Sequence, residues 1–386
     1  MLSLAALAVV RFGLTLSLGP EYDSNANRAE IVANSADAPD TPTGSFLLRG
    51  TATGRLIWRA DRSTLRVTVD AGGKVYFNPA VFDQDVFAIN VDAEERVRLA
   101  RFLHFAVVGD YYDSWQLPVA PYRARDFRSG APLARLYFVD PLGEVVLTGG
   151  YRGFQYKPDP YFDFQAAQAT AYAVARLVFG KNDEHELDIA ATYHFERRWF
   201  NGVVEYFQPD HEPFVPDPMS GHTAQCAYGL PIQSYCLFAG TDERRDWFHE
   251  AGIELTYVGP VLVAVGYGIQ LNLSNSFGQS LLRHIVTLKL AYRFPWNLYA
   301  TLKAQLYAST YLDPVLLDQE INTQTFITIE DENRNNVIVD LERPIGDTGL
   351  AVNARYSVFT NELTSSPVSF LRQVVYLGLT YRVGAR

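Results

Sequence analysis

The chain has 386 residues and a formal net charge of -10, with 48% hydrophobic, 13% aromatic and 20% charged residues. It contains no run of about 18 apolar residues, which excludes a helical membrane protein, and its hydrophobic content is too high for a disordered chain. The acidic balance argues against nucleic acid as a partner, which leaves an all-β protein, either soluble or membrane-spanning.

The first segment, Leu2–Val10, is apolar but has no basic residues before it. A secretory signal requires a basic start, an apolar core and a cleavage site with small residues. Residues 1–9 are therefore interpreted in three ways: as the stub of a signal peptide, as a wrongly assigned start, or as the residual end of a leader.

From residue 10 onward, apolar and polar residues alternate strictly. In 282–294, for example, Leu288 and Leu290 alternate with Thr287 and Lys289. A period of two is typical of β-strands, and segments of about ten residues or more match tilted strands that cross a bilayer. We predict about sixteen strands, or eighteen if a long loop hides a hairpin. The predicted strands are 10–22, 45–59, 64–78, 86–99, 104–117, 131–140, 144–157, 164–179, 186–200, 246–258, 261–274, 280–294, 297–311, 335–344, 349–360 and 368–383.

The connections alternate in length, with short turns such as 259–260 and 295–296 and long loops such as 23–44 and 201–245. Short turns on one side and long loops on the other are typical of outer-membrane barrels. The sequence therefore predicts one transmembrane antiparallel up-and-down barrel over 1–386, in the outer membrane of a Gram-negative bacterium. Its termini and short turns would be periplasmic and its long loops extracellular.

Two segments resemble known families. Val375–Val383 resembles the C-terminal assembly signal of bacterial outer-membrane barrels, with Tyr376, Gly378, Tyr381 and Val383 at the signal positions, although the chain ends in Gly-Ala-Arg. Leu14–Asn25 resembles the start of porin-like barrels found in exopolysaccharide export gene clusters. These resemblances imply a porin-like barrel, and they carry over no catalytic or ligand-binding residue.

The alternation also separates residues that face lipid from residues that face the lumen. When the polar residues of each alternating segment are assigned to the inward face, basic residues outnumber acidic ones there by about seventeen to ten. Rings of Arg or Lys favour anions in pores, whereas Arg–carboxylate ladders that only hold the wall together are the alternative. The candidate lumen residues are Arg49, Arg55, Arg59, Arg66, Arg283, Lys289, Arg293, Lys303, Arg355, Arg372 and Arg382.

The long loop 201–245 contains both cysteines of the chain, Cys226 and Cys236. Two cysteines so close in sequence predict a disulfide in an oxidising compartment, and two unrelated thiols are the alternative. A stapled loop could constrict the lumen, cap it from outside, or contact another protein.

We predict no enzymatic activity, no metal site and no cofactor. His194, with Glu196 and Asp188 on the same face, is the one tempting catalytic candidate. A hydrolase would need a nucleophile beside it, and the usual catalytic motifs are absent from the sequence.

The leading functional prediction is an outer-membrane channel or export pore with a basic lumen, for polysaccharide or anionic solutes. The alternative is a scaffolding barrel with a plugged lumen in a surface-assembly or motility complex, and a hydrolase ranks third. The predicted partners are outer-membrane lipid and lipopolysaccharide, the barrel assembly machinery, and a periplasmic export or scaffold protein.

Overall fold

The computed structural model describes residues 9–29, 31–32, 41–117, 126–180, 184–209, 225–227, 235–276, 279–312, 335–361 and 368–384. Within these residues, sixteen long strands form one antiparallel sheet. The strands are β1 (Val9–Asp23), β2 (Ser45–Arg59), β3 (Ser63–Tyr76), β4 (Val86–Arg98), β5 (Leu103–Gln116), β6 (Phe127–Asp140), β7 (Gly143–Tyr156), β8 (Phe164–Phe179), β9 (His185–Pro209), β10 (Tyr235–Val258), β11 (Val261–Ser274), β12 (Leu281–Arg293), β13 (Tyr299–Tyr311), β14 (Asn335–Pro344), β15 (Leu350–Thr360) and β16 (Leu371–Gly384).

The sheet closes into a barrel because β1 pairs with β16 as well as with β2. At this seam the hydroxyls of Ser17 and Thr380 are 2.6 Å apart, although 363 residues separate them in sequence. Closure leaves no open sheet edge, as required where lipid offers the backbone no hydrogen-bonding partner. The predicted fold class is confirmed.

The two central strands are longer than the alternation indicated. β9 continues to Pro209 and β10 begins at Tyr235, so both flanks of the predicted loop 201–245 are strand. The pairing shifts register near Val203 and then resumes, and the segment Gln225–Ala227 pairs with the start of β10. The prediction ended β9 at residue 200 because clear alternation is lost there, and a register shift interrupts the period of two.

The barrel has an apolar outside and a polar inside. On β1, the outward residues Phe12, Leu16 and Leu18 are exposed at the barrel surface, whereas Glu21 and Asp23 point inward and are buried. Large exposed apolar side chains recur on the outside of the other strands, as membrane-spanning barrels require. The protein is therefore a barrel of the bacterial outer-membrane type.

Helical structure among the described residues is restricted to three short 3-10 turns, Pro79–Gln84, Pro160–Phe162 and Pro295–Asn297. None of the helices in that part of the chain has the length and apolar character needed to cross a membrane. A two-residue ladder joins Ile31–Val32 to Val368–Ser369, between the β1–β2 connection and the segment before β16.

Candidate functional site in the barrel lumen

The strand register places all eleven candidate lumen residues on the inward face. Directly opposed residues of an antiparallel pair lie on the same face of the sheet. Arg55, for example, lies opposite Gly13, and Arg382 lies opposite Thr15, both on the inward side of β1. The structure therefore places the eleven residues on one continuous inner surface, and their contacts then divide them into two groups.

At the end of the barrel with the long loops, the inward cations are buried in ion pairs. Arg372 donates from Nη2 to Oδ2 of Asp23 at 2.6 Å and from Nε to Oδ1 at 2.9 Å. Lys74 donates to Glu21 at 2.8 Å, and Arg49 lies 3.5 Å from the same carboxylate. A buried charge is stable only when it is paired, so the Arg372–Asp23 pair stabilises the seam between β1 and β16, and the Glu21 pairs join β1 to β2 and β3.

A row of inward aromatic rings crosses the same end of the barrel, from β5 to β9. Consecutive ring centroids are 5.0 Å apart for Tyr112 and Phe127, 5.6 Å for Phe127 and Phe154, 4.9 Å for Phe154 and Phe164, and 5.1 Å for Phe164 and Phe200. All five rings are buried and form the largest apolar cluster among the described residues. Such contacts make this end of the lumen a packed region.

Cations lie against this aromatic row. The guanidinium of Arg198 lies 5.3 Å from the ring of Phe164, and Arg152 lies 5.6 Å from the same ring. Both arginines bind Glu196, at 2.7 and 3.1 Å. The shared carboxylate and the face of the Phe164 ring therefore stabilise both cations here.

His194, the candidate for catalysis, belongs to this network. Its Nδ1 lies 2.8 Å from the hydroxyl of Thr170, and its Nε2 lies 3.2 Å from Glu196, which is itself bound to two arginines. No group of three or more His, Cys, Asp or Glu side chains is placed to hold a metal ion within the part of the chain that the structure describes.

Nearer the short turns, the lumen carries cations that are exposed and unpaired. Lys289 on β12 and Lys303 on β13 are directly opposed across the strand pair. Within the described residues neither lysine makes a hydrogen bond or an ion pair, and the same holds for Arg55, Arg59 and Arg66. Two like charges at opposed positions destabilise a sheet, so packing does not account for this lysine pair.

The remaining candidates have partners. Arg355 binds Asp340 at 2.5 Å and Arg382 binds Glu342 at 2.6 Å. Arg283 donates to the hydroxyl of Ser309 at 2.9 Å, and Arg293 donates to the side chain of Asn297 at 2.6 Å. The predicted basic strip is therefore partly an ion-pair ladder, as the alternative interpretation expected.

An acidic pair faces the lysine pair from the other side of the lumen. Asp92 on β4 and Asp110 on β5 are directly opposed and point inward. Eight strands separate β4 from β12, which is half of the sixteen strands around the barrel. Between these walls lies a cavity of about 960 Å³, lined by Lys289 and Lys303 on one side and by Asn90 and Tyr112 on the other.

Sequence reasoning missed several inward residues. Glu21 and Asp23 are inward, as are Glu144, Glu186 and Asp246. The basic residues Arg11 and Arg198 were also missed on this face, so the predicted excess of basic charge becomes smaller but does not disappear. The alternation of the sequence could have identified these acidic residues, because each lies an even number of positions from another inward residue of its strand. The aromatic row could have been found in the same way, since its members lie at inward positions close to the long loops.

The residues of the predicted assembly signal lie on both faces of β16. Tyr376 and Gly378 point inward, whereas Tyr381 and Val383 are exposed on the outside. A Cβ at Gly378 would meet the hydroxyl of Tyr376 and would lie 2.9 Å from the carbonyl oxygen of Leu18, so a larger residue here would force the neighbouring atoms to shift. The role of these residues in assembly remains a prediction.

The backbone register places Cys226 directly opposite Cys236 in the short ladder beside β10. The side chains of both cysteines lie outside the described residues, so the disulfide remains a prediction. Residues 1–8 of the candidate leader also lie outside the described part of the chain.

The chain matches no protein-family model and no curated protein. Among solved structures, OccAB1 from Acinetobacter baumannii is similar over 98% of this chain and 97% of its own, with 9% identity and a TM-score of 0.46. OccAB4 from the same organism is similar over 96% and 98%, with 10% identity and a TM-score of 0.42. The outer membrane protein opdK from Pseudomonas aeruginosa is similar over 98% and 99%, with 10% identity and a TM-score of 0.41. At this level of identity and superposition, no function is transferred to this chain.

Proposed function

We propose that the protein is a passive outer-membrane channel for small anionic solutes. The observation that supports this proposal is the opposed pair Lys289 and Lys303, which is inward, exposed and without a carboxylate partner among the described residues. A cation held unpaired in a lumen lowers the electrostatic barrier for an anion, because the anion replaces the missing counter-charge.

The acidic pair on the facing wall refines the substrate class. Asp92 and Asp110 add negative charge to one wall, which Arg66 and Arg135 partly offset, while Lys289 and Lys303 add positive charge to the opposite wall. A component of the electric field therefore runs across the lumen. Such a field orients a solute that carries separated charges. We expect anions with a second, positively charged or strongly polar end to pass better than symmetric anions of equal size.

The scaffold alternative receives support from the packed long-loop end, where inward side chains are buried. The cavity of about 960 Å³ near the middle of the barrel favours the channel over a fully plugged lumen. For polysaccharide export, the structure offers inward tyrosines, but Tyr307 is buried and contacts Arg283. Small solutes therefore suit the lumen better than a polymer does.

The test is ion selectivity in planar bilayers under a salt gradient. Lys289→Gln, Lys303→Gln and the double variant should each shift the reversal potential towards cation preference, with the largest shift in the double variant. Arg343→Gln removes one positive charge from the outward face of β14 and is the matched control for each single variant. Its reversal potential should equal that of the wild type.

A membrane that stays silent at all voltages would contradict the channel and favour the scaffold. A conducting wild type whose selectivity does not change in the double variant would refute the role of the lysine pair. To test the polysaccharide alternative, an anionic oligosaccharide is added to one chamber of the bilayer. A transient block of the ion current followed by passage of the oligosaccharide would support polysaccharide export.

A further inference from the structure

The outer surface carries a cluster of arginine and tryptophan at the place where its apolar part ends. Outward residues of β9 run from Leu187 through Ile189 to Phe195 without a charge, and the next outward residue is Arg197. On the neighbouring strand β10, the outward residues from Tyr257 as far as Trp247 likewise include no Arg, Lys, Asp or Glu, and Arg245 follows. Both arginines therefore lie at the membrane boundary on the long-loop side.

The pairing of the two strands places each arginine directly opposite a tryptophan on the neighbouring strand. Arg197 is opposed by Trp247, and Trp199 is opposed by Arg245, all four on the outward face. The guanidinium of Arg197 lies 4.6 Å from the ring of Trp247 and 5.3 Å from the ring of Trp199. We call these four residues the Arg–Trp patch.

Arg197 has no acceptor for its hydrogen-bond donors. Its Nε is shielded from solvent and unbonded, and the guanidinium forms no hydrogen bond or ion pair within the described ranges. Among the described residues, the side chain of Arg245 forms one ion pair, with Glu243 at 3.7 Å, and both side chains are exposed, so this ion pair contributes little. Within the part of the chain that the structure describes, Arg197 is therefore unpaired and Arg245 is only weakly paired.

From this geometry we propose that the Arg–Trp patch binds the phosphorylated headgroup of an outer-leaflet glycolipid. A guanidinium recognises phosphate through two parallel hydrogen bonds, and an indole ring stacks against a sugar at the interface between lipid and water. Position supports the same ligand, because a lipid whose acyl chains lie along Ile189 and Phe195 has its headgroup beside Arg197. The outer leaflet thus supplies the missing acceptors.

The experiment measures binding of lipid A to the purified full-length protein in detergent by native mass spectrometry. Bisphosphorylated lipid A is compared with the dephosphorylated lipid of the same acyl composition and with inorganic phosphate alone. The variants are Arg197→Gln/Arg245→Gln and, as an outward control near the short turns, Arg343→Gln. Each protein is first checked for the compact, heat-modifiable form on a gel.

We expect the wild type to bind the bisphosphorylated lipid at least tenfold more tightly than the dephosphorylated one. The double glutamine variant should lose this difference, whereas Arg343→Gln should keep it. If the double glutamine variant does not fold, Arg197→Lys/Arg245→Lys replaces it. This variant keeps both charges but loses the planar fork of donors, and it should bind severalfold more weakly than the wild type.

Equal binding of the two lipids by the wild type would overturn the proposal, and so would unchanged binding by the double variant. Arginine-dependent binding of inorganic phosphate alone would assign the patch to free anions instead. Arginine-dependent self-association would assign it to a second copy of the chain. Because the patch lies outside the lumen, the double variant should keep the wild-type conductance, so this test is independent of the channel proposal.

Discussion

The two ends of the lumen both contain lysine and arginine, but these residues differ in burial and in ion pairing. Near the long loops, Arg372 and Lys74 are buried and paired with Asp23 and Glu21. Towards the short turns, Lys289 and Lys303 are exposed and have no hydrogen-bond or ion-pair partner among the described residues. Burial accounts for the pairing at the long-loop end, since a desolvated cation needs a partner. A hydrated cation does not need one, so Lys303 can stay unpaired while the equally exposed Arg382 binds Glu342. The first group stabilises the fold, and the second is available to a solute.

The largest expected effect is at the buried seam. Arg372→Ala leaves the carboxylate of Asp23 buried without its main partner, and we expect a loss of about 3–5 kcal/mol in the free energy of unfolding. Lys303→Ala, in the exposed group, should change stability by less than about 0.5 kcal/mol. Urea unfolding in lipid vesicles measures both values.

The double variant Asp23→Asn/Arg372→Met is the control for this comparison. It removes both charges together, so no unpaired charge remains, and it should recover part of the stability lost by Arg372→Ala. If Arg372→Ala and Lys303→Ala were equally stable, the division of the lumen into a structural end and a solvated end would be wrong.

The aromatic row gives the next largest effect. Phe164 is buried between Phe154 and Phe200, so Phe164→Ala leaves a cavity and should cost about 3 kcal/mol. Phe164→Leu keeps most of the volume and should cost clearly less. Thermal loss of the compact form on gels ranks the two variants, and an equal loss in both would contradict tight packing at this end.

A smaller effect is expected at the acidic wall. Asp92→Asn/Asp110→Asn removes the negative side of the transverse field, so anion permeability relative to cation permeability should rise, by about fivefold for roughly 1 kcal/mol of electrostatic energy. This change is opposite in sign to that of the lysine variants. A shift towards cations, measured as a reversal potential, would show that the two walls do not act on the same solute path.

The smallest effect concerns Asp163, which lies just before β8 and accepts a hydrogen bond of 2.7 Å from the backbone of Tyr156. Burial raises the pKa of Asp163 above 3.8, and Asp159 adds to the rise, although the Tyr156 N–H opposes it. As the pH falls through the window above 3.8, the folded chain therefore binds the proton before the unfolded chain does, and its stability rises.

Asp163→Asn removes this titration but keeps an oxygen acceptor for the Tyr156 N–H. Relative to the wild type, the variant should be most stable near neutral pH and should lose this advantage as the pH falls towards 4. Melting temperatures of both proteins between pH 7 and pH 4 give the comparison. A difference that does not vary with pH would refute the titration of Asp163.

Much of the fold follows from the sequence because a barrel wall imposes one strict rule. The side chains of each strand must alternate between lipid and lumen. The residue types of Leu288 and Lys289 therefore indicate which side of the wall each side chain faces. Once the phase of each strand is known, every candidate lumen residue falls on its correct face. The same rule failed only where the strands leave the membrane, as in Asn201–Pro209, since neither side is then forced to be apolar.

The sequence could not show which lumen residues are paired. Asp23 and Arg372 are 349 positions apart, and only closure of the barrel brings them together. Burial at the long-loop end was equally hidden, because it depends on contacts between distant parts of the chain, such as the hydrogen bond from the side chain of Asn25 to the carbonyl oxygen of Leu371. For this reason the sequence predicted a single basic strip, whereas the structure has one set of inward cations that are paired and another set that are not.

The bond between Ser17 and Thr380 has a consequence for biogenesis. Their contact joins β1 to β16 across 363 residues of sequence, so the ring cannot be completed until β16 has been delivered to the membrane. Every intermediate before this step has two open sheet edges whose backbone N–H and C=O groups lack hydrogen-bonding partners. Such groups are unstable in the hydrocarbon of a membrane. A chain truncated before β16 should therefore never reach a stable inserted state and should be degraded instead.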